Sequence, residues 1–260
     1  MKNITGSVKS FIRRIYLISF FNCFLLLYPV YALFMQENGV SDMQYSSLFI
    51  IYAISIFVFQ FSAAWLSRAI GDRNAMILGQ TAKIICFIIW FVFPSYLGFA
   101  AGFVLWGIQT AVYNVAYESL LFNELSKHKH KEIYTSVLGR RMAIGALSIA
   151  LSAVGSLLLV FVGYNFIAAA SIVSVFISII LLSRLKLCKS RKVASHKKKK
   201  NFIHQLRYGF KFIFKTGCVV YLMLLINLVG NFCYVQDYLS LIGQEVGLSN
   251  IYVGIVPFIM

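Results

Sequence analysis

Charged residues are scarce in this 260-residue chain, at 12%, and acids are scarcer still, with 8 Asp and Glu against 24 Lys and Arg. A soluble globular domain is about 25% charged and about 45–50% apolar, whereas this chain is 60% apolar with a mean hydropathy of +0.81. The deficit excludes an ordinary water-soluble domain, because most of the chain must have lipid or other protein as its solvent. Also absent are a nucleophile–base constellation, HExxH, a Gly-rich phosphate loop and an ATP-binding cassette signature, so no enzyme is expected. Five cysteines show no metal-ligand spacing. Cys23, Cys86, Cys218 and Cys233 fall in or at the ends of apolar segments and Cys188 in a basic stretch, which excludes a disulfide framework.

What the chain has in abundance is apolar segments of membrane length. Crossing about 30 Å of hydrocarbon takes about 20 residues at 1.5 Å each. Seven segments suffice: Ile15–Met35, Ser47–Leu66, Asn74–Phe93, Gly98–Phe122, Met142–Val162, Tyr164–Leu182 and Thr216–Tyr234. An eighth opens near Asn250 and has about 11 residues before Met260, about 16 Å of helix. The expectation is therefore an incomplete product, since carbonyls exposed to hydrocarbon cost several kcal/mol each.

A net charge of +16 would by itself suggest nucleic acid, but the placement of the basic residues points to a bilayer. Four lie in the amino-terminal tail, Arg68 and Arg73 between helices 2 and 3, five between Lys127 and Arg141, and twelve between Arg184 and Lys215. These are all on one side, 23 of the 24, and the loops on the other side have no Lys or Arg. By the positive-inside rule the basic side, with the amino terminus, is cytoplasmic, and the chain is a multi-pass protein of the cytoplasmic membrane. The first apolar run lacks a small-x-small cleavage site and reads as a retained helix rather than a signal peptide. The divisions expected are a tail 1–14, a six-helix bundle 15–184, a basic linker 185–215 and the start of a second bundle 216–260. Within the linker, Phe202, Ile203, Leu206, Phe210 and Phe214 mark an amphipathic surface helix. The run Lys197–Lys200 reads as a solvated tether, with anionic lipid headgroups as the sharper alternative.

QENGVSD, starting at Gln36 after the first helix, recurs as QEVGLSN at Gln244 after the seventh, 208 residues later. The register makes helix 7 the counterpart of helix 1, a parallel repeat of six helices. Together with two motifs, this plan resembles the major facilitator superfamily over essentially the whole chain. Aligning the family's G-x-L-A-D-R-x-G-R-K signature on Gly71 matches Leu66, Gly71 and the base Arg73. Arg68 and Asp72 occupy the acid and base positions with their charges exchanged, which puts the usual gating role in doubt. A pair between them one turn apart would contribute about 0.2–0.5 kcal/mol; a solvated turn capped by glycine is the plainer alternative. ESLLFNEL followed by EIYTSVLGRR is similar to a pattern of a bacterial branch often described as efflux permeases, matched at Glu118, Leu120, Leu125, Tyr134, Gly139 and Arg140. The resemblance implies an all-α transmembrane helix bundle, with the first six-helix half complete, followed by helix 7 and the start of helix 8. It implies secondary transport of a small solute, with no cofactor beyond a coupled proton. A non-transporting membrane protein, as a remnant or regulatory partner, is the alternative.

Ionisable groups at membrane depth are functional candidates by default. Two qualify, Lys83 in helix 3 and Glu118 in helix 4. A Lys83–Glu118 pair is at the limit of reach across a depth gap of about 8 Å, and structural pairing or snorkelling is the readier role for Lys83. Thr110, Asn114 and Glu118 repeat every four residues, flanked by Trp106, Gln109, Tyr113 and Tyr117. Helix 1 adds Asn22, Tyr28 and Tyr31, and helix 7 adds Asn227 and Asn231; in the resembled fold helices 1, 4 and 7 line the central cavity. Each polar residue taken singly could instead bond between helices, at about 0.6 kcal/mol per contact. Glu118 is either a proton-coupling acid or the acid of a cytoplasmic latch to Arg140 or Arg141. Gly145, Ser148, Ser152, Gly155 and Ser156 make helix 5 a face for close backbone approach.

Overall fold

The structure, a computed structural model, describes residues 6–185 together with Leu187 and Tyr221. The seventh and eighth apolar segments, the amphipathic stretch, the tetralysine run, Asn227 and Asn231 lie outside the described residues. Among the described residues the fold is all-helical: α1 Gly6–Cys23, α2 Tyr31–Glu37, α3 Asp42–Ile70, α4 Asp72–Val92, α5 Tyr96–Lys127, a 3-10 turn Lys131–Ile133, α6 Tyr134–Ser152 and α7 Val154–Ser183. Helices α3, α4, α5 and α7 are long and apolar enough to cross a membrane.

Local sequence sets the helix starts. Ser41 Oγ accepts from the Gln44 amide at 3.4 Å while Gln44 Oε1 accepts from the Ser41 amide at 3.0 Å, a reciprocal cap. Ser95 Oγ caps α5 by accepting from the Gly98 amide. Helix α5 lies against both α3 and α4, and α1 lies against α6 and α7. One apolar core gathers Tyr31, Trp90, Phe99, Phe103 and Trp106, and a second gathers Ile15, Ile18, Tyr113, Tyr117 and Leu121. The opposite faces are exposed and greasy: Ile50, Ile54, Phe57 and Val58 on α3, Ile85 and Ile88 on α4, Val173, Phe176 and Ile180 on α7. Spacings of three and four residues put each set on one stripe, the face a spanning helix turns to lipid.

Three expected helices differ in form. The sixth segment is continuous in α7 with the end of the fifth, but at Gly163 the backbone leaves the helix with φ 71°. An L side chain is strained there, so the turn between the fifth and sixth spans needs this glycine. The fifth span itself breaks at Ala153, between α6 and residues 154–162 of α7. The larger correction concerns Ile15–Met35, which was expected to be one helix and is instead α1, an irregular stretch 24–30, and the short α2. Pro29 contributes no amide donor and disfavours helix at the preceding residue.

A break inside an apolar bundle exposes backbone groups that water cannot satisfy, so each needs a partner. Serines of α6 and α7 supply most of them. The Phe21 carbonyl accepts from Ser174 Oγ at 2.9 Å, and the Phe20 carbonyl, which keeps its bond from the Phe24 amide, also accepts from Ser148 Oγ at 2.7 Å. The Asn22 carbonyl accepts from Lys83 Nζ at 3.2 Å. The amides of Leu25 and Leu27 donate to Ser152 Oγ and Ser171 Oγ, both at 3.0 Å. Tyr28, Val30 and Tyr31 then turn back onto Leu25 and Leu27 carbonyls and restart the helix.

Interhelical side-chain bonds in membranes average about 0.6 kcal/mol because the separated helices find other partners. An amide in a broken segment has no such substitute, and losing its acceptor costs about 1–3 kcal/mol. Ser152→Ala and Ser171→Ala should therefore each destabilise the bundle by about 1–3 kcal/mol in reversible denaturation. Ser183→Ala, whose exposed hydroxyl only bonds back to its own helix at Ile180, should change stability by less than about 0.5 kcal/mol.

Candidate functional site

The polar residues of the bundle interior separate into two groups. The first surrounds Lys83, the twelfth of the 21 residues of α4 and 2% exposed. Its ammonium donates to the Asn22 carbonyl at 3.2 Å and to the Tyr28 hydroxyl at 3.5 Å. It also lies 5.5 Å and 5.9 Å from the ring centres of Tyr28 and Trp106, which stack on each other. Gln80, one turn earlier, donates to Asn22 Oδ1 at 2.6 Å and to Ser178 Oγ at 3.3 Å. Lys83 thus turns to the broken end of α1, and the marginal pair with Glu118 is not formed; its snorkelling is also replaced by these buried contacts.

The second group lies on α5 and the start of α6. Asn114 and Glu118 are exposed, one turn apart, and Thr110 one turn further is half-buried and bonded to the Tyr52 hydroxyl at 3.0 Å. Arg141 of α6 donates to Asn114 Oδ1 at 3.5 Å and its guanidinium lies 4.0 Å from the Tyr117 ring centre. That stacking is worth about 0.5–2 kcal/mol. Arg141 therefore reaches Asn114 and Tyr117, and no ion pair to Glu118 is formed among the described residues. Arg140 lies beside the Tyr16 hydroxyl.

The expected flank of the stripe is buried. Gln109 is 4% exposed, Tyr113 1% and Tyr117 0%, and the two tyrosines belong to the core between α1 and α4. Helical spacing placed Gln109, Tyr113 and Tyr117 beside the stripe but could not say that α4 covers them, with Gly79 packed against Tyr113. The exposed face is Asn114 and Glu118, and beside it the half-buried Arg141 stacks over the ring of the buried Tyr117.

The junction of α3 and α4 is more than a turn. Gly71 sits at φ 88° between the helices. The Asp72 carboxylate accepts from Ser67 Oγ, from Ser119 Oγ at 3.1 Å and from Asn123 Nδ2 at 3.3 Å, so it ties both helices to α5. Arg73 donates to the Ser183 and Leu185 carbonyls, both at 3.5 Å, and Arg14 to the Arg184 carbonyl at 3.0 Å. Cations at the last carbonyls of α7 oppose its dipole. Arg68 lies in the last turn of α3 and is exposed.

The residues not anticipated are Gln80 and the serines 171, 174 and 178. Their signals were in the sequence: Gln80 is one turn from Lys83 in an otherwise apolar helix, and the three serines fall on one stripe. At the other end of the bundle, Tyr164 donates to Glu37 at 2.8 Å and closes α2 onto the turn at Gly163. No group of three or more His, Cys, Asp or Glu that could hold a metal occurs among the described residues.

The family model described as Major Facilitator Superfamily matches residues 15–260. No curated protein matches the chain. Among solved structures it is similar to a D-xylose-proton symporter, at 14% identity with a TM-score of 0.63 over 97% of this chain. The chain spans 65% of that structure's length. At such identity the likeness is one of fold.

Proposed function

We propose, from the premise that this chain belongs to the major facilitator superfamily, that it works in secondary transport, carrying a small solute across the bilayer by alternating access. The observation that carries the reading is the pair Asn114 and Glu118, exposed on the membrane-length helix α5, with Arg141 of α6 bonded to Asn114. A carboxylate exposed on a spanning helix cannot face hydrocarbon without a cost of several kcal/mol, so Glu118 faces a water-filled or protein-lined path. We read Glu118 as the proton-coupling acid and Asn114 and Arg141 as solute contacts, with Asn22 and Tyr28 contributing from the first helix and Asn227 and Asn231 from the seventh. Efflux from a basic, cytoplasmic face of the cytoplasmic membrane is the direction favoured by the efflux-permease-like motif around Glu118.

Reconstituting the full-length protein in proteoliposomes under an imposed proton gradient tests this directly. A panel of radiolabelled small organic solutes should include at least one whose flux rises about tenfold over empty vesicles and collapses with a protonophore, the size expected when about 1.4 kcal/mol is removed from a barrier. Flux indistinguishable from empty vesicles across the panel would leave a membrane protein without transport.

A further inference from the structure

The ammonium of Lys83 stands at the middle of a spanning helix, yet among the described residues its company contains no acid. The titratable groups that bear on it are the thiols of Cys23 and Cys86. Its contacts are the Asn22 carbonyl, the Tyr28 hydroxyl and two ring faces. Those are the ligands of a cation site rather than of an ion pair. Asn22 is the penultimate residue of α1, whose run ends at Cys23, so its carbonyl is one of the last four that the helix leaves unbonded. The dipole gives that end about half a negative charge. The carbonyl of Phe20 is taken by the Phe24 amide and Ser148 and that of Phe21 by Ser174, and Asn22 is left to the ammonium. Where membrane helices are interrupted in transporters, such carbonyl ends coordinate free coupling cations. Here the position is filled from within.

We propose that the broken end of α1 is a monovalent-cation site whose permanent occupant is the tethered ammonium of Lys83. The lysine stands where a dissociable ion would otherwise be required, so the interrupted helix keeps its form without sodium or potassium. Each partner accounts for the other. The Asn22 carbonyl takes a cation where that of Phe21 takes a hydroxyl, and the cation at mid-membrane is held by this carbonyl and the electron-rich faces of Tyr28 and Trp106.

Thermal unfolding of the full chain in detergent tests this without any transport assay, so its outcome is separate from that of the solute-flux experiment. Lys83→Ala removes three methylenes and the ammonium, a group matched atom for atom by n-propylammonium. The midpoint of Lys83→Ala should fall well below wild type and recover by several degrees in n-propylammonium chloride but not in n-propanol, which fills the same space without charge. Lys83→Met, which keeps the bulk and loses the charge, should stay low in either additive, and the wild type should be insensitive to sodium, potassium and both additives. Equal recovery in n-propanol, no recovery at all, or a Lys83→Met protein as stable as wild type would each overturn the site. Lys83→Gln provides a second chargeless variant should Lys83→Ala not fold. If neither can be recovered folded when purified in n-propylammonium, the proposal also fails.

Discussion

Replacing Gly155 with alanine should destabilise the bundle by about 3 kcal/mol or more, the upper end of the cost of overpacking. A Cβ there would stand 2.1 Å from the Leu26 carbonyl oxygen, 2.9 Å from its carbon and 3.1 Å from its Cα. All three are backbone atoms of the irregular stretch between α1 and α2, so no side chain can swing aside. Relief requires α7 to back away from the first helix, and that movement stretches the bonds from Ser152 and Ser171 to the Leu25 and Leu27 amides. The damage should thus exceed that of deleting either hydroxyl. Gly139→Ala is the control. It lies in α6 with nothing within 4 Å of an added Cβ, so the exchange should stabilise by up to about 1 kcal/mol through helix propensity. Denaturation midpoints for the two variants should move in opposite directions; a Gly155→Ala protein as stable as wild type would show that the close approach is not required.

The contrast bears on what could be read from the chain alone. Spans announce themselves because lipid imposes one rule on every residue of a long stretch, and α3, α4 and α5 were found to within a few residues at most of their ends. Helix 5 was marked as a close-approach face from Gly145, Ser148, Ser152 and Gly155 by size alone, and the structure adds that their hydroxyls serve the neighbouring backbone. The interruption at residues 24–30 had one local signal, Pro29, but its extent was not legible, because Phe24 to Leu27 are as apolar as any spanning helix and the serines that permit the break lie 127 to 153 positions away. Sequence separation also hid the choice made by Lys83. Depth along a helix suggested Glu118 as a partner, whereas the carbonyl of Asn22 became available only because α1 ends there. Asp72 is a similar case: spacing offered Arg68, while packing of α5 brought Ser119 and Asn123 to its carboxylate. Local pattern specifies which groups are polar, and the crossing of helices decides which polar groups meet.

Glu118→Gln should abolish proton-driven solute movement, by about tenfold or more, while leaving stability within about 0.5 kcal/mol of wild type. The two halves follow from the same observation. Glu118 is exposed on α5 and makes no ion pair among the described residues, so nothing in the packing depends on its charge. A coupling acid must give up and regain a proton each cycle, and a permanently bonded carboxylate could do neither. Glutamine keeps the shape and the acceptor oxygen but cannot carry the proton, so solute exchange between two loaded compartments should persist when net flux down a proton gradient is lost. Arg141→Lys tests the neighbouring role. The ammonium cannot stack flat on Tyr117 or reach Asn114 with the same fork, so the solute concentration for half-maximal flux should rise several-fold while the dependence on the proton gradient remains. A Glu118→Gln protein that still accumulates solute against its gradient would move the coupling group elsewhere, and equal loss of exchange and net flux would make Glu118 a solute contact instead.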